Sequence, residues 1–517
     1  MRHARDVVRG AVFYGFRNHY SVIPIQGETI MYTFDNVGRN TIAMVLAGGK
    51  GQRLSPLTLR RAKPSIPFGG KYKIIDFVLS NLFNSGIKKV YILTQYRAFS
   101  LIKHIRESWG KWTGLGEFFV AISPETSSEK EEWFKGTADA ILQYLRFVES
   151  SDADYVAIFG GDHIYKMDVT QMINNHRINR AEITIAALEV PVTEASSFGV
   201  FSVDDDFRVT AFTEKPAAPE TIPGQSTCLA SMGNYIFSTK KLIEVLLEGK
   251  KKFADLDFGK HVIPMMLERG DRVFAYNFND NLIPGMKSEE RGYWKDVGTI
   301  DSYYEANMDL INVSPQLNLY NYKWPILTNQ GNLPPAKTIF DDDDRRGQNI
   351  DSYVSGGCIT SGSTVRRSII GPRCKINSYS LVEESILFEN VTIGRHVKIR
   401  RAIIDKGVVI PDGSIIGYDS DLDRHNGFTV TNSGIVVVPL SDKCANHYGS
   451  RITNSLVPVS AIANPALVIK KPVIHLVADK EPHPAPYTTE GIAISREMIS
   501  DFPPPCQAPE EHIRMQA

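Results

Sequence analysis

A six-residue period in the C-terminal half of the chain constrains its fold more than any other feature. The aliphatic residues at this period are Val391, Val397, Ile403, Val409 and Ile415, and the pairs Ile376/Val382 and Ile359/Val365 keep the same step. A hexapeptide repeat with one aliphatic position is typical of a parallel β-helix, in which each coil stacks its aliphatic side chains on the next. The period therefore predicts a β-helix domain over residues 351–440.

The N-terminal half has a different pattern, in which short apolar runs alternate with amphipathic segments. The runs predict buried strands at 41–46, 89–94, 155–159 and 183–188, and the segments predict helices at 77–84, 138–149 and 168–180. Such alternation favours a doubly wound, mostly parallel sheet, here over residues 41–305. Ligands of these sheets bind beyond the carboxyl ends of the strands. Two of these ends carry Gly48-Gly49 and Asp162.

Three further segments lie outside these patterns. Residues 306–350 are predicted to be a linker, and the four aspartates at 341–344 are interpreted as a solvated turn, because consecutive side chains cannot all point at one ion. Residues 1–40 are predicted to form an N-terminal extension. Its first thirty residues are Arg-rich and are interpreted either as a mobile arm or as sequence preceding a native start at Met31. Residues 441–517 contain ten prolines between Pro458 and Pro509, which predicts an irregular C-terminal extension.

The charge balance excludes some classes of function and hides a local cluster. Lys and Arg number 58, as do Asp and Glu, so a general nucleic-acid binder is not expected. No apolar run approaches the ~18 residues of a membrane-spanning helix, and five scattered cysteines suit a reducing cytoplasm. Residues 36–75, however, hold eight Lys or Arg and no acid. This segment predicts a local anion site.

A glycine-rich loop follows the first predicted strand. Gly48, Gly49 and Gly51 allow backbone N–H groups to approach a phosphate closely. The loop lacks the Gly-Lys-Ser/Thr ending of a Walker A motif. Because Arg53 and Lys63 follow within the acid-free segment, the loop is interpreted as part of a phosphate site.

Several motifs occur in one order along the chain. They are Leu46-Ala47-Gly48-Gly49 with Arg53-Leu54, Arg61-Ala62-Lys63-Pro64, Gly136-Thr137-Ala138-Asp139, Gly161-Asp162-His163, Glu214-Lys215-Pro216 and Tyr293-Trp294-Lys295-Asp296. Together they resemble the sugar-nucleotide pyrophosphorylases, and over residues 41–438 the bacterial glucose-1-phosphate adenylyltransferases. The resemblance implies a Rossmann-like nucleotidyltransferase domain followed by a left-handed parallel β-helix. It also implies the reaction of ATP with glucose 1-phosphate to give ADP-glucose and pyrophosphate, the committed step of bacterial glycogen synthesis.

The resemblance assigns roles to individual residues. Arg53 and Lys63 would hold the triphosphate, and Asp162 with Asp296 would hold Mg²⁺. The implied nucleotide-binding residues are Leu46, Ala47, Gly48, Gly49, Gly51, Gln95, Gly136 and Thr137. The implied glucose 1-phosphate residues are Phe134, Gly199, Glu214, Lys215 and Ser231. Relatives often carry Tyr where this chain has Phe134, which removes one possible hydrogen bond to the sugar.

Regulation and assembly are also implied by the resemblance. The family forms homotetramers, and its effectors bind between the two domains; the matching residues here are Arg60, Arg61, Lys73, Arg400 and Arg401. Arg400 and Arg401 are expected to meet Arg60 and Arg61 around a phosphate. An arginine at 60 and Pro67 depart from the enteric pattern, so the activator, a sugar phosphate or pyruvate, and the AMP-type inhibitor stay open. No nucleic-acid or membrane partner is expected.

Two alternative functions are weighed against this one. The first is a pyrophosphorylase that uses another nucleoside triphosphate; the motifs from Arg-Ala-Lys-Pro to Gly-Thr-Ala-Asp favour ATP. The second is a non-catalytic regulatory subunit of a mixed tetramer. The presence of Arg53, Lys63, Asp162 and Lys215 argues against lost catalysis.

Overall fold

The structure, a computed structural model, describes residues 20–25, 28–33, 37–114, 116–124, 133–222, 226–329 and 331–440. The predicted C-terminal extension lies outside these residues. Within the predicted N-terminal extension, β1 (Tyr20–Ile25) and β2 (Glu28–Thr33) pair antiparallel, with Val22 opposite Met31. The mobile arm and the start at Met31 stay predictions. In the part of the chain that is described, no helix is long and apolar enough to cross a membrane.

The N-terminal domain contains thirteen described strands and nine helices. The strands are β3 (Thr41–Ala47), β4 (Pro67–Phe68), β5 (Tyr72–Lys73), β6 (Lys89–Thr94), β7 (Phe118–Ile122), β8 (Tyr155–Gly160), β9 (Ile164–Tyr165), β10 (Ile183–Pro191), β11 (Gly199–Val203), β12 (Val209–Glu214), β13 (Thr227–Ser238), β14 (Val273–Asn277) and β15 (Trp294–Lys295). The helices are α1 (Ile74–Asn84), α2 (Phe99–Ser108), α3 (Thr137–Gln143), α4 (Leu145–Glu149), α5 (Val169–Ile178), α6 (Val192–Ala195), α7 (Thr239–Lys252), α8 (Ile263–Glu268) and α9 (Ile300–Asp309).

Nine of these strands form one sheet. Its order is β12-β11-β13-β8-β3-β6-β7, and β10 pairs with β13 and β14. The strands β8, β3, β6 and β7 run parallel, and β13 joins β8 antiparallel. The predicted glycine-rich loop follows β3. These parallel strands are apolar almost throughout because helices cover both of their faces. The predicted fold class is confirmed, and four strands were placed correctly to within three residues.

Two apolar cores lie on opposite faces of the sheet. Helices α1, α2 and α5 contribute to one core, and α3, α4, α7 and α8 to the other. The helix predicted at 138–149 is divided into α3 and α4 at Tyr144, whose backbone leaves the helical region (φ −111°, ψ 20°). The Tyr144 hydroxyl donates to the carbonyl of Ser123, and its ring stacks on Phe147. We attribute the break to these contacts, which the helical period does not encode.

The C-terminal domain is a parallel β-helix with three faces. One face is β16 (Lys337–Ile339), β21 (Ile359–Ser361), β24 (Lys375–Ile376), β27 (Thr392–Ile393) and β30 (Val409–Ile410). The second is β19 (Gln348–Ile350), β22 (Thr364–Arg366), β25 (Leu381–Glu383), β28 (Lys398–Arg400) and β31 (Ile415–Ile416). The third is β20 (Tyr353–Val354), β23 (Ile369–Ile370), β26 (Ile386–Leu387), β29 (Ala402–Ile404), β33 (Val436–Val438) and β32 (Thr429–Val430), of which β32 alone pairs antiparallel. A hairpin of β17 (Asp341–Asp342) and β18 (Arg345–Arg346) and the helix α10 (Ser420–His425) extend from the coils.

The β-helix confirms the predicted fold but corrects the predicted register. Ile376 pairs with Ile393, and Ile393 with Ile410, so one coil takes 17 residues rather than three strict steps of six. Val391 and Val397 point inward as predicted. Ile403 is also buried, but in the apolar cluster that faces the N-terminal domain, and its neighbour Ile404 takes the inward position. Val409 and Ile415 do not point inward, because the shorter coil moves the inward position to Ile410 and Ile416; Ile359 is likewise exposed.

The first coil starts inside the segment predicted to be a linker. Strand β16 begins at Lys337 and already pairs parallel with β21, so the coils start before residue 351. The strands of these coils are too short, and their apolar pattern is too weak, for the sequence to predict them. The aspartates at 341–344 are all exposed, and Asp341 forms an ion pair with Arg346 at 2.6 Å within the hairpin, as a solvated turn predicts.

One apolar cluster joins the two domains. Tyr303 of α9 packs edge-on against Phe388 of the β-helix, and Ile369 and Ile403 lie in the same cluster. The Tyr304 hydroxyl donates to the carbonyl of Glu384 at 2.6 Å. The helix α9 therefore anchors the β-helix to the domain that carries the site.

Candidate functional site

The glycine-rich loop leaves the carboxyl end of β3 and turns back over the sheet. Gly51 has φ +58°, a left-handed conformation that favours glycine. A Cβ there would lie 3.1 Å from both Lys63 Cβ and Thr58 Cγ2. The Thr58 hydroxyl donates to the Gly51 carbonyl at 3.0 Å and holds the loop in this shape. The loop therefore lies directly beside Lys63.

A cavity of about 390 Å³ opens above this loop. The eight residues predicted to bind the nucleotide all line it: Leu46, Ala47, Gly48, Gly49, Gly51, Gln95, Gly136 and Thr137. Lys63, Asp162 and Phe134 line it as well. The Phe134 N–H donates to Gln95 Oε1 at 3.1 Å, so this residue, predicted for the sugar, stands at the wall of the predicted nucleotide cavity.

A buried lysine bridges two carboxylates at the floor of the site. Lys63 Nζ lies 3.1 Å from Asp162 Oδ2 and 2.6 Å from Asp296 Oδ1. Burial by itself opposes the charge on Lys63, but the two carboxylates raise its pKa above the ordinary 10.5. Burial also opposes the charge on Asp162, and Lys63 nevertheless lowers the pKa of that carboxyl to about 2. Lys63 and Asp162 are therefore both charged at neutral pH.

A short antiparallel ladder brings the two aspartates together. In it β9 pairs with β15, with Ile164 opposite Lys295. Asp162 precedes β9 and Asp296 follows β15, so both carboxylates stand at the same end of the ladder. The sequence predicted this pair only through the family resemblance, because nothing local relates the two segments.

Asp162, Asp296 and the unpredicted His163 form a group that can hold a metal ion. One ligand atom from each lies within 4.8 Å of the others. The His163 ring packs against Trp294, and its buried Nδ1 has no hydrogen-bond partner. Carboxylate oxygens are the ligands that Mg²⁺ takes, so the donor set suits this ion. Arg53 is largely exposed, with Nη2 3.6 Å from Asp296 Oδ2, where it faces the same space.

Most of the residues predicted for glucose 1-phosphate lie on or beside β11, β12 and β13. Gly199 lies opposite Glu214, and a Cβ at Gly199 would be 2.9 Å from Glu214 Oε2. Lys215 has φ +49° and an exposed side chain, with Nζ 3.4 Å from Glu214 Oε1. Ser231 lies on the neighbouring strand, where its Oγ accepts from Gly233 N at 3.2 Å. Four of the five predicted residues are thus on this edge, and Phe134 is the exception.

Asp257 is a cavity residue that the predicted set omitted. Its Oδ2 accepts from the Thr137 hydroxyl at 2.9 Å, and its Oδ1 accepts from Gly259 N at 3.0 Å. A Cβ at Gly259 would lie 2.4 Å from Glu214 Oε2, so this turn connects the nucleotide cavity with the sugar residues. The Asp-Phe-Gly sequence, with a helix-capping residue before an apolar one, was the available signal.

The predicted effector residues do not form one group. Arg60 lines a second cavity of about 350 Å³ with Arg97 and Asp405, while Arg61 is buried and pairs with Asp405 at 2.7 Å. Burial lowers the pKa of Lys73 to about 8, although Asp76 opposes this change.

Arg400 and Arg401 have partners elsewhere on the β-helix. Arg400 Nε is 3.8 Å from Glu384 Oε2, and Arg401 donates to the Ser433 carbonyl at 3.1 Å. Arg61 instead meets Asp405 and the ring of Phe388 on the β-helix, and the Asp405 carboxylate satisfies the buried guanidinium directly.

A glycine-rich loop at a strand end, a lysine between two acids and a mixed sheet are consistent with a nucleotidyltransferase. Residues 42–313 match the family model described as nucleotidyl transferase, and residues 334–438 match the GlmU-like C-terminal hexapeptide model. The first match covers more than half of the chain, and the chain is therefore a nucleotidyltransferase.

Individual relatives identify the family within the nucleotidyltransferases to which the chain belongs. The chain is 82% identical over 413 residues to glucose-1-phosphate adenylyltransferase of Trichlorobacter lovleyi, a match of 80% of this chain and 100% of the relative. The protein of that name from Geobacter metallireducens is 81% identical over 79% of this chain and 99% of its own length. The one from Anaeromyxobacter is 52% identical over 77% and 97%. The chain belongs to the glucose-1-phosphate adenylyltransferase family.

Proposed function

We propose that this chain transfers the adenylyl group of ATP to α-D-glucose 1-phosphate, giving ADP-glucose and pyrophosphate, as the committed step of bacterial glycogen synthesis. The observation that carries the proposal is the position of Lys63. Its ammonium stands at the floor of the glycine-lined cavity, between the carboxylates of Asp162 and Asp296. This is the arrangement that a transfer between two phosphate-bearing substrates requires.

The reaction joins two anions without a covalent enzyme intermediate. A phosphate oxygen of glucose 1-phosphate attacks the α-phosphorus of ATP, and the bond from that phosphorus to the bridging oxygen of pyrophosphate breaks. Such a transfer depends on positioning and on neutralising charge. Lys63 and the exposed Arg53 would hold the triphosphate and balance the charge that develops on the departing pyrophosphate. The backbone of Gly48, Gly49 and Gly51 would approach the phosphates closely.

Asp162 and Asp296 would hold Mg²⁺, with His163 beside them. When bound, the ion neutralises phosphate charge and draws phosphate oxygens into position. The chain's own residues prepare the site: Lys63 keeps the Asp162 carboxylate ionised, and the β9–β15 ladder holds both carboxylates at one place.

The sugar phosphate would bind at the edge of the sheet beyond the nucleotide cavity. Lys215, exposed and held in a left-handed conformation, would contact its phosphate. Glu214 would accept from sugar hydroxyls, beside the glycines 199 and 259 whose missing side chains leave room for it. Ser231 and Phe134 complete the predicted sugar set.

A nucleotide panel tests the assignment. The full chain is incubated with Mg²⁺, glucose 1-phosphate and ATP, UTP, dTTP or GTP separately, and pyrophosphate release is measured. We expect strong preference for ATP, with Asp162→Asn as the inactive control. Preference for another nucleotide would identify a different pyrophosphorylase. No turnover with any nucleotide would favour a regulatory subunit.

Regulation, assembly and location belong to the same proposal. We infer a homotetramer in the cytoplasm, activated by a sugar phosphate or pyruvate and inhibited by an AMP-type nucleotide. The cavity beside Arg60 and Arg97 supports the effector site. Measuring the rate with fructose 6-phosphate, fructose 1,6-bisphosphate, pyruvate and AMP tests it, and an unchanged rate with all four contradicts it. Light scattering of the purified chain gives the assembly.

A further inference from the structure

A buried ion pair closes the end of the β9–β15 ladder that lies away from the two aspartates. Lys166 Nζ is 3.7 Å from Glu290 Oε1, and their side chains are only 4% and 3% exposed. Neither residue lines the nucleotide cavity or belongs to the residues assigned above. Removing a lysine and a glutamate from water costs free energy. We therefore expect this buried pair beside the site to have a role.

The backbone around the pair satisfies both partners. Asn318 N–H donates to Glu290 Oε1 at 3.1 Å, and the Asn318 carbonyl accepts from Lys166 Nζ. The second carboxylate oxygen of Glu290 accepts from Lys287 N at 3.1 Å. Burial lowers the pKa of Lys166, and Glu290 opposes this change. The pair therefore ties three chain segments together, at Lys166, at 287–290 and at Asn318.

The position of the pair along the ladder indicates its role. The ladder has only two residue pairs, Trp294 with Tyr165 and Lys295 with Ile164. Asp162 and Asp296 extend from one end of it. At the other end Lys166 follows Tyr165 directly, and Glu290 lies four residues before Trp294. So short a ladder does not fix the alignment of two segments by itself.

We propose that Lys166 and Glu290 are positioning residues that set the separation of the Asp162 and Asp296 carboxylates. They fix the far end of the ladder, so the near end presents the two acids at the spacing a divalent cation needs. An apolar pair of similar volume would fill the space but would leave the register of the segments unspecified. The inference rests on the metal site in the proposed function.

Direct binding of Mn²⁺ to the full chain, followed by electron paramagnetic resonance, tests the role without relying on turnover. Removing outer partners of a metal site weakens binding by about 10- to 100-fold, so we expect Lys166→Met and Glu290→Gln to raise the Mn²⁺ dissociation constant by about tenfold or more. Lys166→Arg, which keeps the charge, should restore much of the affinity. The KM for glucose 1-phosphate should stay unchanged in all three.

A matched pair elsewhere separates positioning from general stability. Lys241 pairs with Glu182 at 3.1 Å and also with Asp271, outside the two cavities described. Lys241→Met should lower the thermal midpoint while leaving Mn²⁺ affinity unchanged. Equal weakening of Mn²⁺ binding in Lys241→Met and Lys166→Met would overturn the positioning role.

Other outcomes are equally decisive. Wild-type affinity in both Lys166→Met and Glu290→Gln would overturn the inference and leave the proposed function intact. Absence of Mn²⁺ binding by the wild-type chain would overturn the metal site and the inference together. If Lys166→Met does not fold, the nearly isosteric Glu290→Gln alone decides, because it removes the charge and little volume.

Discussion

The two domains bury different kinds of polar group, and the partners of these groups lie at different distances along the chain. At the site Lys63 and Asp296, 233 residues apart, bring opposite charges into contact. In the β-helix the buried polar groups are mainly neutral hydroxyls, and their partners lie one coil away: Ser385 N donates to Ser368 Oγ, and Ala402 N donates to Ser385 Oγ, each across 17 residues. The sheet domain thus brings together charged side chains from distant segments of the chain. The β-helix repeats one type of hydrogen bond between adjacent coils.

This difference indicates which substitutions should affect activity and which should affect stability. Within the stack a coil contacts only the adjacent coils, so a defect inside the coils weakens the stack locally. A substitution at the site that conserves volume, by contrast, changes the charge balance and leaves the packing in place. Substitutions matched between the two regions can therefore break or sharpen the comparison.

Asp162→Asn should give the largest effect, and on catalysis alone. It removes a carboxylate that would hold the metal ion, an interaction that contributes several kcal/mol, so we expect turnover to fall by about a thousandfold or more. The matched change in the β-helix is Asp423→Asn, because Asp423 is buried and accepts from Gly417 N at 2.9 Å, which an amide oxygen can also do. Pyrophosphate release measures both, and equal losses would refute the separation.

Ile399→Ala should give the reverse result, a loss of stability with the chemistry unchanged. Ile399 is fully buried in the β-helix core, and truncating such a side chain costs about 2–5 kcal/mol. Denaturant unfolding measures the loss, and kcat is measured at a temperature where the variant is folded. Ile359→Ala, at an exposed position of the same domain, serves as the control and should cost little. A fall in kcat for Ile399→Ala would show that the coils act on the site.

Lowering the pH should reduce the stability of the sheet domain before that of the β-helix. Burial lowers the pKa of His176 to about 4, so between pH 6.5 and 4 the unfolded chain binds a proton that the folded one does not. Stability therefore falls as the pH drops through this window, by about 3 kcal/mol at pH 4. Burial raises the pKa of Asp423 instead, which favours the folded state at low pH.

Hydrogen exchange at pH 7 and pH 5 checks this. Protection around Thr184 and Ser238, which bond the His176 ring at 2.9 and 3.0 Å, should decrease, while the coils keep theirs. His176→Asn should flatten the response of the sheet. Equal loss of protection in both domains would contradict the assignment to His176.

Lys215→Ala should affect binding more than turnover. Hydrogen bonds to charged groups contribute about 1.5–3 kcal/mol, so loss of a phosphate contact should raise the KM for glucose 1-phosphate by about 10- to 100-fold. Initial rates at saturating ATP give the KM. Lys398→Ala, an exposed lysine of the β-helix, is the control. An unchanged KM would remove Lys215 from the sugar site.

Ser385→Ala should give the smallest effect of the five. It leaves the buried Ala402 N–H without its acceptor, at a cost of about 1–3 kcal/mol. Denaturant midpoints measure it, and kcat should not change. Ser433→Ala, at a largely exposed turn, is the comparison within the same domain. A cost above that of Ile399→Ala would show that the hydroxyl ladder, rather than the aliphatic core, dominates the coils.

Much of the fold was predictable because its signals are local. The strand at 41–46 and the coils around Val391 and Val397 carry their burial in their own sequence pattern. Errors arose where a tertiary contact or a change in period intervened, as at Tyr144, which divides a helix, and at Val409, which a 17-residue coil turns away from the core.

The sequence by itself determined the two fold classes, the place of the glycine-rich loop and, through ordered motifs, the family. Only the tertiary structure decided which charges meet. It placed Lys63 between Asp162 and Asp296, paired Arg61 with Asp405 across 344 residues, and enclosed Lys166 with Glu290. The physical reason is that secondary structure follows from neighbours along the chain, whereas an ion pair depends on where the whole chain brings two segments together.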